Sequence, residues 1–399
     1  MTLAIFSTAH RFTVVSCASF SLRVSKPKTS GLTSPFQYKT LSTMSSKENS
    51  IKDDTYYTVG ITGSSGLLGT ALMDELLTSK RNGMLKGKPL RIVKLIRSDN
   101  VEKINVVEEK AVTTLPWNPY ATNGMDVINA DALKKINTIV HLAGENVGSG
   151  LLPGPLGYLG IQAWSKEKKD FILKSRVGPT RALASAIADS DKSTTYIVAS
   201  GVGVYGNHFI ASNEPLPTPD ESTDVSNTPG FLAEVSRQWE GASKEAVREG
   251  TNNRLVNLRL APILSKKGGA LGKLYPIFFL GGGGIVGSGQ QYFSYISARD
   301  AARAIVHCIE NDSLQGPVNV IAPTPATNAE FTSALGKAIG RPTIVPLPAF
   351  AVKLMFGEMG EEMLLGGVKA HPQKLLDSGF HFQHSTIQEA IDSAMKETI

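Results

Sequence analysis

From residue 56 onward, short runs rich in β-branched and aromatic residues alternate with longer segments in which apolar positions return every third or fourth place. The runs are YYTVGIT, LRIVKLIR at 90–97, TIVHLAG at 138–144, TTYIVASG at 194–201 and RLVNLRLAPIL at 254–264. Each is apolar along most of its length, as a strand covered on both faces must be, and the intervening patterns predict helices over 67–79, 165–190 and 231–249. Strands of this kind joined by helices form a parallel sheet, so residues 56–265 are predicted to be an α/β fold, a doubly wound Rossmann-type parallel sheet.

Past residue 265 the rhythm breaks. KKGGALG and GGGGIVGSGQ precede YFSYIS, a helix near 298–310, PVNVIA and a helix near 327–340. Residues 266–342 are read as an extended substrate-side region and 343–395 as a cap punctuated by Pro and Gly, together a small C-terminal α+β substrate or cap subdomain. Within the cap Met355, Met359 and Met363 recur every fourth residue, the spacing of a core-facing stripe. Ligands bind doubly wound sheets at the carboxyl ends of the strands, the edge such a subdomain would close.

Composition excludes some partners. The 399 residues are 41% hydrophobic and 19% charged, with a formal charge of +6. Six basic residues and one acid fall in the first 50, so the remainder carries only +1. A near-neutral body offers neither a phosphate-backbone footprint nor a polybasic membrane patch, and no nucleic acid is expected. The first 43 residues hold no Asp or Glu, are rich in Ser and Thr and carry scattered Arg and Lys, the composition of a transit peptide. Residues 1–50 are therefore expected to be a disordered leader to an organelle, the chloroplast before the mitochondrion; translation from Met44 would instead leave the protein in the cytoplasm. With Cys17 in the leader, Cys308 stands alone, so neither a disulfide framework nor a cysteine metal cluster is expected. The longest apolar run, at 275–287, is too short and too rich in glycine to span a bilayer. Peripheral association and homo-oligomerisation stay open.

The stretch GITGSSGLLG carries the most specific chemistry. Gly63 permits a tight turn after the first strand, Gly66 lets the backbone approach a pyrophosphate, and Gly69 lets helix and strand pack closely. The helix start then offers unpaired amides and positive dipole to phosphates, so Thr62, Gly63, Ser64, Ser65, Gly66, Leu67, Leu68 and Gly69 are candidate cofactor contacts. Cofactor choice falls to the end of the second strand, where an acid holds ribose hydroxyls and an Arg accommodates a 2′-phosphate. In VKLIRSDN the strand runs out at Arg97 and Ser98, which selects NADP(H); a strand two residues longer would bring Asp99 to the ribose and favour NAD.

The G-x-x-G-x-x-G spacing resembles the extended, sugar-nucleotide-epimerase-like branch of the short-chain dehydrogenase/reductases. VHLAGENV, KSRVGPTRAL, VGVYG, FLAEVSRQWEG, VGSGQQYFSYIS and the final LPAFAVKL…HPQKLLDSGFHF are similar to the epimerase-related family of bacterial YfcH-type proteins, which has giant-chloroplast-type plant members. The similarity covers residues 56–392. It implies NADP(H), with Leu142, Ala143, Gly144 and Glu145 lining the cofactor path and Arg176 and Gln291 on the substrate side.

That superfamily transfers protons with a Tyr whose pKa is lowered by a Lys four residues later, beside an orienting Ser or Thr. Here the matching helix reads PGFLAEVSRQWEG: Phe231 or Leu232 stands at the Tyr position, and Val235 or Ser236 at the Lys position. Ser200, at the end of its strand, and Tyr205, on the next loop, are the remaining catalytic candidates, each equally readable as a packed residue. The expected function is reduction or epimerisation of a small carbonyl or sugar-like compound with NADP(H). The alternative is a non-catalytic, NADP(H)-holding regulatory or scaffold protein, for example in plastid division.

Overall fold

The computed structural model describes residues 55–78, 83–99, 112–121, 124–148, 164–207 and 218–397. The expected leader, 1–50, and the stretch 149–163 lie outside the described residues.

The sheet is doubly wound, as the pattern predicts. Its parallel strands are β1 (Tyr57–Thr62), β2 (Lys88–Arg97), β3 (Val112–Trp117), β4 (Thr138–His141), β5 (Thr195–Gly201), β6 (Arg254–Leu260) and β7 (Gly316–Val320), ordered β7-β6-β5-β4-β1-β2-β3. The chain winds outward from β1 to β3, then returns to lay β4 against the other side of β1, so the carboxyl ends of β1 and β4 flank the switch point where such sheets bind ligands. Every residue of β1 and β4 is buried, the reason their sequences lack polar alternation. The pattern missed β3, VTTLPW: this edge strand is half-exposed and contains Pro116, which an edge tolerates because one side of its ladder is unpaired.

Helices cover both faces. Leu68, Leu72 and Leu76 of α1 (Leu67–Thr78) share one apolar cluster with Ile305 and Ile309. Leu183 and Ile187 of α2 (Lys166–Ala188) and Trp239 of α3 (Phe231–Ser243) share the other. A third cluster joins Leu271 and Phe278 of α4 (Gly269–Phe279) to Phe331 and Leu335 of α6 (Asn328–Ile339) and to Ile391 of α8 (Ile387–Met395). On α5 (Ala298–Glu310), Ser297 is the N-cap and fully buried Asp300, an acid in the first turn, accepts backbone N–H bonds from Gln383 and His384 and so pins the C-terminal segment.

The methionine stripe of the cap does not form. In α7 (Ala349–Gly360) Gly357 leaves helical geometry, which rotates the following residues out of register. Met359 is buried, Met355 half-buried and Met363 exposed.

Candidate functional site

β1 ends at Thr62, level with Leu95 of β2 and His141 of β4. Gly63 then turns with φ +67°, and a Cβ there would sit 3.0 Å from the Ala143 amide nitrogen. A Cβ on Gly69 would collide with the Gly63 carbonyl, so α1 can seat this close to the turn only with glycine. Between them Ser65 and Gly66 are exposed, Ser64 and Leu67 half-buried and Leu68 packed in the core. The first turn of α1 thus presents backbone amides outward, the geometry that receives phosphate oxygens.

Thr62 is fully buried, and its hydroxyl accepts from the Leu142 and Ala143 amides at 3.1 and 3.2 Å. Its proton therefore goes to His141 Nδ1, 2.8 Å away. Thr62 holds the β4 loop in place instead of presenting a side chain to a ligand. Burial pulls the His141 pKa down to about 3, so this histidine is a neutral packing residue between Trp117 and Tyr196.

Arg97 is the last residue of β2, exposed, with its guanidinium carbon 5.7 Å from the Tyr120 ring centre. The Ser98 amide donates to the Trp117 carbonyl, and exposed Asp99 follows beyond the strand. The strand ends where the sequence pattern placed it, leaving Arg97 on the same sheet edge as the glycine turn.

Past β4, Leu142 and Ala143 are half-buried and Gly144 is exposed. The Glu145 carboxylate pairs with Lys168 at 2.9 Å. Arg176, expected on the substrate side, is instead buried beneath this loop. It donates to the Glu145 and Ile172 carbonyls at 2.6 and 3.0 Å and lies over the Trp239 ring. Burial lowers its pKa to about 10 against the opposing pull of Glu145, and it remains a cation that supports Gly144 and Glu145 from below. Gln291, the other expected substrate-side residue, is also buried, and its amide donates to the Val286 and Leu364 carbonyls.

At the end of β5 the structure resolves the helix frame left open by the sequence. A Cβ on Gly201 would meet Ser236 Oγ at 3.6 Å, and one on Gly203 would meet Leu232 Cβ at 3.0 Å. Leu232 and Ser236 therefore face the end of β5 and the turn after it. The Ser236 hydroxyl is occupied with the Leu232 carbonyl at 2.8 Å.

Both catalytic candidates belong to a buried polar chain. Ser200 donates to Glu240, which holds Arg259 through two contacts of 2.9 and 3.0 Å. Arg259 donates to the Tyr205 hydroxyl at 2.9 Å, and that oxygen lies 2.8 Å from both the Asp220 carbonyl and Asn319 Oδ1. Burial raises the Tyr205 pKa to about 12 even beside Arg259, so the phenol is a neutral member of this network at physiological pH. Sequence reasoning passed over Glu240, Arg259 and Asn319. Arg259, charged at an interior position of the strand RLVNLRL, was the available signal, because a buried cation requires a partner. A small, open pocket bounded by Tyr292–Tyr295, Thr324 and Val368–Ala370 lies in the C-terminal region and includes none of these residues.

The parallel sheet, its switch point and the G-x-x-G-x-x-G turn define a doubly wound α/β protein of the short-chain dehydrogenase/reductase type. An epimerase family protein of Mycobacterium leprae is 36% identical over 338 residues, covering 84% of this chain and 95% of its own. The chain belongs to this epimerase family, an atypical extended branch of that superfamily. A chloroplastic homologue of epimerase family protein SDR39U1 from Arabidopsis thaliana is 28% identical, covering 87% of this chain and 89% of its own. A crystal structure of human SDR39U1 (isoform 2) with NADPH is similar at TM-score 0.65 and 27% identity, covering 85% of this chain and all of the human one. Residues 347–394 match a domain of unknown function, DUF1731, which spans most of the expected cap.

Proposed function

We propose that this chain binds NADP(H) at the β1–β4 switch point. The pyrophosphate lies on the amides between Gly63 and Gly69, the adenosine 2′-phosphate on Arg97 and Ser98, and the loop Leu142–Glu145 lines the path toward the end of β5. The observation that carries this reading is the exposed Arg97 ending β2 beside a turn that only glycine can form. The crystallisation of human SDR39U1 with NADPH supports it.

Bound there, the cofactor would exchange a hydride with a small carbonyl or sugar-like compound, in reduction or in epimerisation. This chain has no phenol–ammonium pair at Leu232 and Ser236; the hydroxyl left at the β5 end is Ser200, which orients the reacting carbonyl only when its proton turns from Glu240 to the substrate. The domain boundaries at 265 and 342 and the organellar leader are part of the same proposal, and the chloroplastic relative favours the chloroplast.

The alternative, a cofactor-holding regulatory protein without turnover, draws on the engagement of Tyr205 and Ser236 inside the fold. NADPH and NADH titration tests the cofactor: tighter NADH binding refutes it. A panel of carbonyls offered to the NADPH-loaded protein separates the two readings. Substrate-dependent oxidation abolished by Ser200→Ala refutes the regulatory one, and a silent panel refutes the enzymatic one for the classes tested.

A further inference from the structure

The cap reaches into the site at one spot. At Gly357 the chain adopts φ 53° and ψ −138°, a break inside α7, and α7 is followed by a π-turn at Glu361–Leu365. Such turns interrupt helices rarely and gather at functional positions. Three carboxylates follow the break, of which Glu361 pairs back with Lys353 of α7 at 2.9 Å and the other two reach outside the cap. Glu358 meets Lys169 of α2 with both oxygens at 2.9 Å. Glu362 accepts the backbone N–H groups of Phe231 and Leu232, at 2.7 and 3.0 Å.

Both contacts converge on the start of α3. That helix has Gly230 at its N-cap and no side-chain cap of its own, so Glu362 supplies from 130 residues away what a local Ser or Asp usually does. Lys169 also lies 4.6 Å over the Phe231 ring, which packs edge-on against Trp164. Leu232, whose amide Glu362 holds, is the residue facing Gly203 at the end of β5.

The closed arrangement is lightly held. Glu358 and Lys169 are 47% and 31% exposed, the regime in which an ion pair is weak. Of α7 only Val352, Met359 and Gly360 are buried. Beneath the π-turn, Gln291 donates to the Leu364 carbonyl while its own Oε1, buried, has no partner among the described residues. An unpaired buried acceptor is costly, and an opened segment would give it water or a ligand donor.

We propose that residues 357–365 are an ionic latch hinged at Gly357. Closed, Glu358 and Glu362 clamp the cap to α2 and α3 over the end of β5; released, they admit ligand to that end of the cleft. The inference rests on the proposed nicotinamide position at β5, and its test has an arm independent of cofactor.

The test compares the full chain with Glu358→Gln/Glu362→Gln and with the charge exchange Lys169→Glu/Glu358→Lys. By stopped-flow NADPH fluorescence, the double Gln variant is expected to raise association and dissociation rates together, each about fivefold or more, with equilibrium affinity nearly unchanged; the charge exchange returns both toward wild type. A cap of purely structural value would lower affinity without raising the association rate, and that result overturns the latch. Hydrogen exchange without cofactor is the second arm. Residues 357–365 and the Phe231 and Leu232 amides are expected to open as one unit, ahead of the rest of α3, and independent opening overturns the proposal. A wild-type chain that takes up no NADPH refutes the cofactor assignment and leaves hydrogen exchange to decide the latch.

Discussion

The Ser200 hydroxyl donates to Glu240 across 2.9 Å, and the same carboxylate grips buried Arg259. The hydroxyl proposed to orient a substrate carbonyl is thus tied to an ion pair that also supports the core. Ser200→Ala leaves Glu240 its two contacts to Arg259 and should cost only about 1 kcal/mol of stability. Glu240→Gln strands a buried guanidinium and should cost about 3–5 kcal/mol. Chemical denaturation checks the contrast, and equal losses from the two substitutions would refute it.

Arg97 should decide the cofactor. Arg97→Asp removes the cation and places a carboxylate where a 2′-phosphate would lie, so NADPH should weaken by about tenfold or more while NADH holds or improves. Fluorescence titration of both nucleotides measures the ratio. An unchanged ratio would mean that Arg97 is a solvated strand end.

Alkaline pH should destabilise the fold through Tyr205. Its pKa rises from 10.0 to about 12 on folding because burial disfavours the phenolate. Below pH 10 the phenol is neutral in both states, so its contribution is fully present. Between pH 10 and 12 the unfolded chain ionises first, and stability falls. Buried Tyr196 shifts in the same direction for the same reason. Tyr205→Phe should therefore flatten part of the decline, yet lower stability at pH 7 by about 1–3 kcal/mol, because it strips Arg259 of an acceptor. Melting curves across that range carry both signs.

His141 predicts the acid side. Its pKa falls from 6.5 to about 3 on folding, so its contribution is present above pH 6.5 and is lost as pH falls toward 3, where the unfolded chain binds the proton first. His141→Gln keeps an acceptor for the Thr62 hydroxyl without a titrating ring. It should remove a share of the acid destabilisation on the order of 2–4 kcal/mol. A decline between pH 6 and 4 as steep as wild type would exclude His141 as its source.

Much of this was legible along the chain because it depends on near neighbours. The glycine turn, the helix after it and the end of β2 at Arg97 are each set by the conformational preferences of a few consecutive residues. β3 escaped notice because an edge strand needs no apolar pattern, and the methionine stripe failed because Gly357 breaks the period that made it readable. For the helix PGFLAEVSRQWEG, either frame satisfied helical spacing, and only the approach of Gly201 and Gly203 selected Leu232 and Ser236.

By itself the sequence determined the sheet, the glycine turn and the charge beside it, all products of local sterics and of apolar periodicity. Tertiary structure decided what the polar side chains do. Arg176 and Gln291 went inward because carbonyls from distant loops were there to receive them, and Tyr205 became part of a network with Arg259 and Asn319. Glu362 came to cap a helix that begins 131 residues earlier. Hydrogen bonds and ion pairs are chosen among groups that the fold brings within about 3 Å of each other, and sequence separation places no limit on which groups those are.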